Sequence, residues 1–243
     1  LHHLQLRKKF NNIKKMKNKK IIFITLVIIG LTGIGIFAGI FFSDKWKITK
    51  EDVVIGYNNT TVYDSEGKFL CELSGDENRK IISLADMGKY IPKAFVAIED
   101  ERFEKHSGVD LKRTAGAIVN FIIHRGKSSY GGSTITQQLV KNMMKEDEDE
   151  GLAGVRRKIR EWSRAYQIEQ MLSKNQILET YLNQVFMGGG TNIYGVEKAS
   201  KYYFNKSASE LTLAEAAFLA GINRAPNAYN PYEEGNEEAI KKV

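Results

Sequence analysis

An uncharged run of 22 residues, Ile21 to Phe42 (IIFITLVIIGLTGIGIFAGIFF), sets the first constraint on this chain. A helix rises about 1.5 Å per residue, so the run covers roughly 33 Å, enough to cross the hydrocarbon of a bilayer. It is longer than the apolar core of a cleaved leader, and no small-x-small site closes it cleanly. The residues therefore predict a retained transmembrane anchor over 21–42. Gly35 and Gly39 form a GxxxG pair, for which chance in a glycine-rich span is a simpler reading than helix packing.

The segment before the anchor, 1–20, carries 8 basic residues and no acidic one. Without it, 28 basic residues face 29 acidic ones, so the positive charge of the chain belongs to this tail. Basic flanks of an apolar span stay on the cytoplasmic side. The expected topology is a basic cytoplasmic tail, one crossing, and everything after Phe42 outside. Nucleic-acid binding, the usual implication of a basic chain, loses its support. Met16 opens a run suited to starting such an anchor, so the true start stands open between Leu1 and Met16. Cys71 is the single cysteine, which excludes an intrachain disulfide, and no Cys/His set has zinc-ligand spacing. Roughly 200 residues follow the anchor, enough for one domain with its own core.

Ser43 to Asn59 reads as a stalk. Thr60–Tyr63 and Lys68–Leu73 flank Asp64-Ser65-Glu66-Gly67 and predict a β-hairpin with a glycine turn. We take 43–91 as stalk and hairpin, and 92–243 as a helical domain. Pro92 suits a first helical turn, and the pattern predicts a helix over Lys93–Lys105 closing near Gly108. Further helices are expected over Leu111–His124, after Gly132, over Val155–Leu172, from Ser173 through Asn183, and after Thr212. Ser173-x-x-Gln176 and Thr212-x-x-Glu215 have capping-box spacing. The acidic run Glu146–Glu150 reads as a solvated mobile loop. Glu237–Val243 reads as a helix without a cap, so a chain that continues is expected.

Three stretches carry chemistry. In Gly131–Asn142 (GGSTITQQLVKN), Ser133 is the expected N-cap. Ser133, Gln137 and Lys141 then share a helical stripe, with Thr134 and Gln138 alongside. A hydroxyl, amides and an ammonium beside a helix N-terminus suit a polyhydroxylated anion such as a sugar pyrophosphate. A capped surface helix with ordinary polar residues fits the same letters. Glu99 has Phe95 and Phe103 at i−4 and i+4. A carboxylate on such a face needs partners, or a raised pKa that lets it accept a proton near neutrality, as a general base does. A surface pair with Arg102 or Lys93 is the plainer alternative. Glu161 follows Arg156, Arg157, Lys158 and Arg160, a cluster able to clamp a pyrophosphate leaving group or simply to salt-bridge along a surface helix.

Glu99-Asp100-x-x-Phe103-x-x-His106-x-Gly108, the run 131–142, Arg157-Lys158-x-x-Glu161, Ile177-Leu178-Glu179-x-Tyr181-Leu182-Asn183 and Gly195-Val196-x-x-Ala199-x-x-Tyr202-Tyr203-Phe204 occur in this order. Together, from about Thr60 to Pro231, they closely resemble the peptidoglycan glycosyltransferase family of membrane-anchored bacterial enzymes. Departures are small: Ser200 stands where a second alanine is common, and the 146–150 loop is unusually charged.

The resemblance implies a mainly α, lysozyme-like fold with the small hairpin, one N-terminal transmembrane helix, and a membrane-dipping mobile segment between the second and third motifs. It implies polymerisation of lipid II, with Glu99 deprotonating the acceptor 4-hydroxyl and Glu161 at the pyrophosphate with Arg157, Lys158 and Arg160. Ser133, Thr134, Gln137, Gln138 and Lys141 would hold sugar and phosphate, while Asp100, Phe103, His106 and Asn183 would shape the site. No cofactor is required by it, no protein metal site is expected, and a divalent cation (Mg or Mn) at the pyrophosphate is left open. Partners would be lipid II, the growing glycan chain and the membrane, with cell-wall synthesis proteins left open and no nucleic acid. A lysozyme-like hydrolase or lytic transglycosylase, and a non-catalytic wall scaffold, are the rival readings. The Ser-x-x-Lys plus Lys-Thr-Gly set of a transpeptidase is missing from these residues.

Overall fold

The computed structural model describes residues 2–53, 59–73, 75–124, 131–144, 151–189 and 192–241. They form two compact units, 1–46 and 47–243. The first is dominated by α1 (His2–Phe41). Within it, Lys17–Phe41 is a 25-residue stretch long and apolar enough to cross a membrane, and its isoleucines, leucines and phenylalanines up to Phe37 are exposed. Such an all-round apolar surface is what a lipid-facing helix presents.

The second unit is mainly helical. A short helix α2 (Lys50–Val53) precedes the antiparallel hairpin of β1 (Thr60–Tyr63) and β2 (Phe69–Leu73), with a bulge between Val62 and Tyr63. Its turn forms as expected: Asp64 Oδ1 accepts the Glu66 and Lys68 amides at 2.9 and 2.8 Å, and Gly67 takes φ +81°. A second sheet, which the residue pattern does not predict, pairs β3 (Asn78–Arg79) parallel with β4 (Ile193–Tyr194).

The helical body comprises α3 (Ile91–Glu99), α4 (Leu111–Ile123), α5 (Ile135–Met144), α6 (Gly151–Met171) and α7 (Lys174–Gln184). It continues through α8 (Val196–Phe204), α9 (Leu213–Ile222) and the short α10 (Glu237–Ile240). The capping boxes at Ser173 and Thr212 are present with both reciprocal bonds. α5 packs on α6 and α7, and α3 packs on α9. Phe95, Phe103, Ile135, Leu139, Ile168, Ile177, Tyr181 and Leu182 are fully buried there. Burying one such side chain stabilises by about 1.5–3 kcal/mol, so this core fixes the helices that carry the polar residues below.

The helix expected over Lys93–Lys105 is shorter. It stops at Glu99, and Phe103–Lys105 forms a separate 3-10 turn. Asp100 leaves the helical region (φ −158°, ψ 70°), because its carboxylate is drawn to partners far along the chain. Phe103 is buried nevertheless, from the turn rather than from the Glu99 helix face. The glycine/serine stretch up to 130 and the acidic loop 146–150 lie outside the described residues, as do residues 145–150 of the segment between the second and third motifs.

Candidate active site

Two glycine- and aspartate-centred joints bring the first two motifs together. Asp100 is fully buried, and its Oδ2 accepts the Ile135 amide at 3.0 Å and stands 2.9 Å from His106 Nε2. Gly108 lies at φ +87°, with the Ala165 backbone 2.7 Å from where a Cβ would stand, so only glycine lets the loop close on α6. Its carbonyl accepts the Thr134 hydroxyl at 2.6 Å.

That bond exposes a one-residue correction to the sequence reading. Thr134, not Ser133, caps α5. Its Oγ1 accepts the Gln137 amide at 3.2 Å, and Gln137 Oε1 accepts the Thr134 amide at 3.0 Å, a complete capping box. Thr134 and Gln137 are therefore buried and committed to the cap, and neither lines the cavity described next. Ser133 is released to the surface side, where its Oγ accepts from Lys158 Nζ at 3.0 Å.

A cavity of about 420 Å³ opens beside α5. Glu99, Ser133, Gln138, Lys141, Asn223 and Arg224 line it, with Val185, Phe186 and Pro226 supplying apolar wall. Glu99 is half-buried here at the C-terminal end of α3. Gln138 Nε2 donates to its Oε2 at 2.6 Å and Asn223 Nδ2 to its Oε1 at 2.9 Å. The surface pairs with Arg102 or Lys93 do not form: Arg102 Nε donates instead to Asp110 Oδ2 at 2.8 Å. Arg102, and the Arg113 amide at 2.9 Å, hold Asp110 below the ordinary aspartate pKa even though burial pushes it up. Arg113 in turn donates from Nε to the Gly131 carbonyl at 2.9 Å, tying α4 to the approach to α5.

Glu161 is 3% exposed on α6. Lys158 Nζ is 2.5 Å from its Oε1 and Arg157 NH1 3.5 Å from its Oε2. Because Lys158 also donates to Ser133, the cationic cluster meets the Glu99 cavity at Ser133. Arg160 is half-buried on the same helix. Both Glu161 oxygens face cations, and among the described residues no group of three His, Cys, Asp or Glu comes together.

Sequence reasoning missed Asn223 and Arg224, and did not single out Tyr181, whose hydroxyl bonds both Gln138 and Asn223. Asn223 follows an Ala/Leu-rich helix with no motif of its own, so nothing local marks it.

Glu99 is thus a carboxylate held by amide donors in a cavity, beside a second carboxylate flanked by Lys158 and Arg157; the first has lone pairs that can accept a proton, and the cations can meet an anion. The family model described as Transglycosylase matches residues 66–243, and the chain belongs to that family. A similar protein is penicillin-binding protein 1A of Clostridium acetobutylicum, 47% identical over 71% of this chain and 22% of its own length. Penicillin-binding protein 1A of Clostridium perfringens is 37% identical over 94% of this chain and 34% of its length. Penicillin-binding protein 1F of Bacillus subtilis is 38% identical over 89% and 29%. The chain thus spans between a fifth and about a third of the length of the curated relatives it matches.

Proposed function

We propose that this chain is a membrane-anchored peptidoglycan glycosyltransferase that polymerises lipid II into β-1,4 glycan strands and releases undecaprenyl pyrophosphate. One observation carries the reading: a single cavity holds the Glu99 carboxylate and, at Ser133, meets the cationic stripe around Glu161.

In this proposal Glu99 takes the proton of the acceptor's GlcNAc 4-hydroxyl. The freed oxygen forms a bond to C1 of the growing donor strand on the face opposite the leaving group. The bond from C1 to the pyrophosphate oxygen breaks with inversion, and the electron pair leaves on the pyrophosphate. Arg157, Lys158 and Arg160 meet that charge, and Glu161 orients the two cations it touches. Ser133, Gln138 and Lys141 line the sugar and phosphate path, while Thr134 and Gln137 shape it through the cap. The anchor would lie with its lysine-rich end in the cytoplasm, which puts the domain where lipid-linked substrate is presented.

Incubation of the purified chain with lipid II in detergent tests the reading. Glycan strands resolved on a gel support it. Release of soluble sugar fragments from finished glycan, with none formed from lipid II, would favour a hydrolase.

A further inference from the structure

Four side chains from four parts of the fold close a ring at the Glu99 carboxylate. Gln138 of α5 donates to Oε2 at 2.6 Å, and Asn223, just past α9, donates to Oε1 at 2.9 Å. Both amides also meet one hydroxyl. Tyr181 of α7 donates to Gln138 Oε1 at 3.1 Å and accepts from Asn223 Nδ2 at 3.0 Å. Tyr181 is fully buried, edge-on to Phe95 with ring centroids 6.3 Å apart, and does not line the cavity. Any effect it has on chemistry is exerted through its neighbours.

A primary amide has a donor end and an acceptor end, and whichever faces an anion decides whether the contact attracts or repels. The Tyr181 proton, given to Gln138 Oε1, commits the Nε2 end to Glu99. The hydroxyl's lone pair, taking an Asn223 hydrogen, commits that amide's nitrogen in the same way. Burial first, and then the charge of Glu99, push the Tyr181 pKa upward, so the orienting proton stays in place. Both contacts that the ring makes with the carboxylate are N–H donors.

We propose that Tyr181 is a positioning residue for the base, acting through Gln138 and Asn223 to hold Glu99 as an acceptor whose remaining lone pairs serve the cavity. The proposal rests on Glu99 being the base. A proton taken from substrate is then carried on the cavity side and released there. The other charged groups around Glu99 do not replace the ring. Lys141 from α5 and Arg224 beyond α9 line the cavity, and Lys158 from α6 is engaged with Ser133 and Glu161. Asp100, next in the chain, is held by His106 and the Ile135 amide.

Tyr181→Phe removes the hydroxyl alone. With the full chain in detergent and lipid II as substrate, kcat should fall roughly tenfold, a partial loss of the ~10²–10⁴ that general-base catalysis contributes. KM should stay within about twofold, because substrate does not touch this residue. The acidic limb of kcat/KM against pH should move toward neutrality. In a Gln138→Ala background the same substitution should move that limb less, since one of the two groups it acts through is gone. Asn223→Ala, which leaves the Tyr181–Gln138 bond intact, should move the limb in the same direction and carries the test if the phenylalanine variant does not fold. A limb unchanged in Asn223→Ala and in folded Tyr181→Phe, or one moved equally with and without Gln138, overturns the positioning role. Glu99→Gln separates the two claims: if it polymerises normally the base itself is misassigned, whereas if it is inactive and the limb is unmoved only the ring fails.

Discussion

Thr134→Val should destabilise the protein far more than Ser133→Ala, although the residues are neighbours and both carry hydroxyls. Valine keeps the shape of threonine but neither donates to the Gly108 carbonyl nor accepts the Gln137 amide, bonds now made at 2.6 and 3.2 Å in a fully buried position. Losing a helix cap costs about 1 kcal/mol, and leaving buried partners unsatisfied adds about 1–3 kcal/mol. The total, about 2–4 kcal/mol, is a large share of the ~5–15 kcal/mol that holds a domain folded. At about 2–4 °C per kcal/mol for a domain near this size, the melting temperature should fall by about 5–15 °C. Ser133 only accepts from the half-exposed Lys158, so its alanine variant should stay within about 0.5 kcal/mol, as surface changes do. Circular dichroism at the helix band, followed through thermal unfolding of both variants, reads the difference. Equal melting temperatures for the two, or a larger loss for Ser133→Ala, would refute the assignment of the cap to Thr134.

Charge reversal at Arg157 and Lys158 together should weaken use of lipid II much more than it lowers the melting temperature, and unchanged donor kinetics would return the cluster to a surface role. Asp110 has a folded pKa below its ordinary value, so its contribution to stability is complete above the unfolded value of about 3.9 and is lost as pH falls below it. Asp110→Asn should therefore melt lower at neutral pH and show a shallower decline below about pH 4, measured by melting across a pH series. Protease added outside spheroplasts should digest the domain after Phe42 and spare the lysine-rich tail; the reverse pattern would overturn the proposed orientation.

Features set by near neighbours in the chain were legible from residues alone. The long apolar helix, the hairpin turn at Asp64–Gly67 and the boxes at Ser173 and Thr212 each depend on contacts within four residues. The same logic could have found the α5 cap. Thr134-x-x-Gln137 has capping-box spacing, while Ser133 is followed three residues later by Thr136, which cannot return the bond. What stayed hidden was non-local. The end of α3 is decided by an amide 35 positions away from Asp100, and the Glu99 ring joins residues up to 124 apart. β3 and β4, two residues each, are too short to carry an alternating pattern. The motifs marked Glu99, Ser133, Gln138 and Lys141 as a group, and the cavity contains all four. They gave equal weight to Thr134 and Gln137, which the capping box withdraws into the interior.

The most direct test of the central claim is polymerisation of lipid II by Glu99→Gln. Glutamine keeps the size of the side chain and an acceptor oxygen for one of its two amide partners, but it cannot take the acceptor's proton. The account predicts a folded protein, with parent-like circular dichroism and lipid II binding, whose strand formation falls by about 10²–10⁴-fold. Glycan strands formed at near-parent rate by this variant would contradict it.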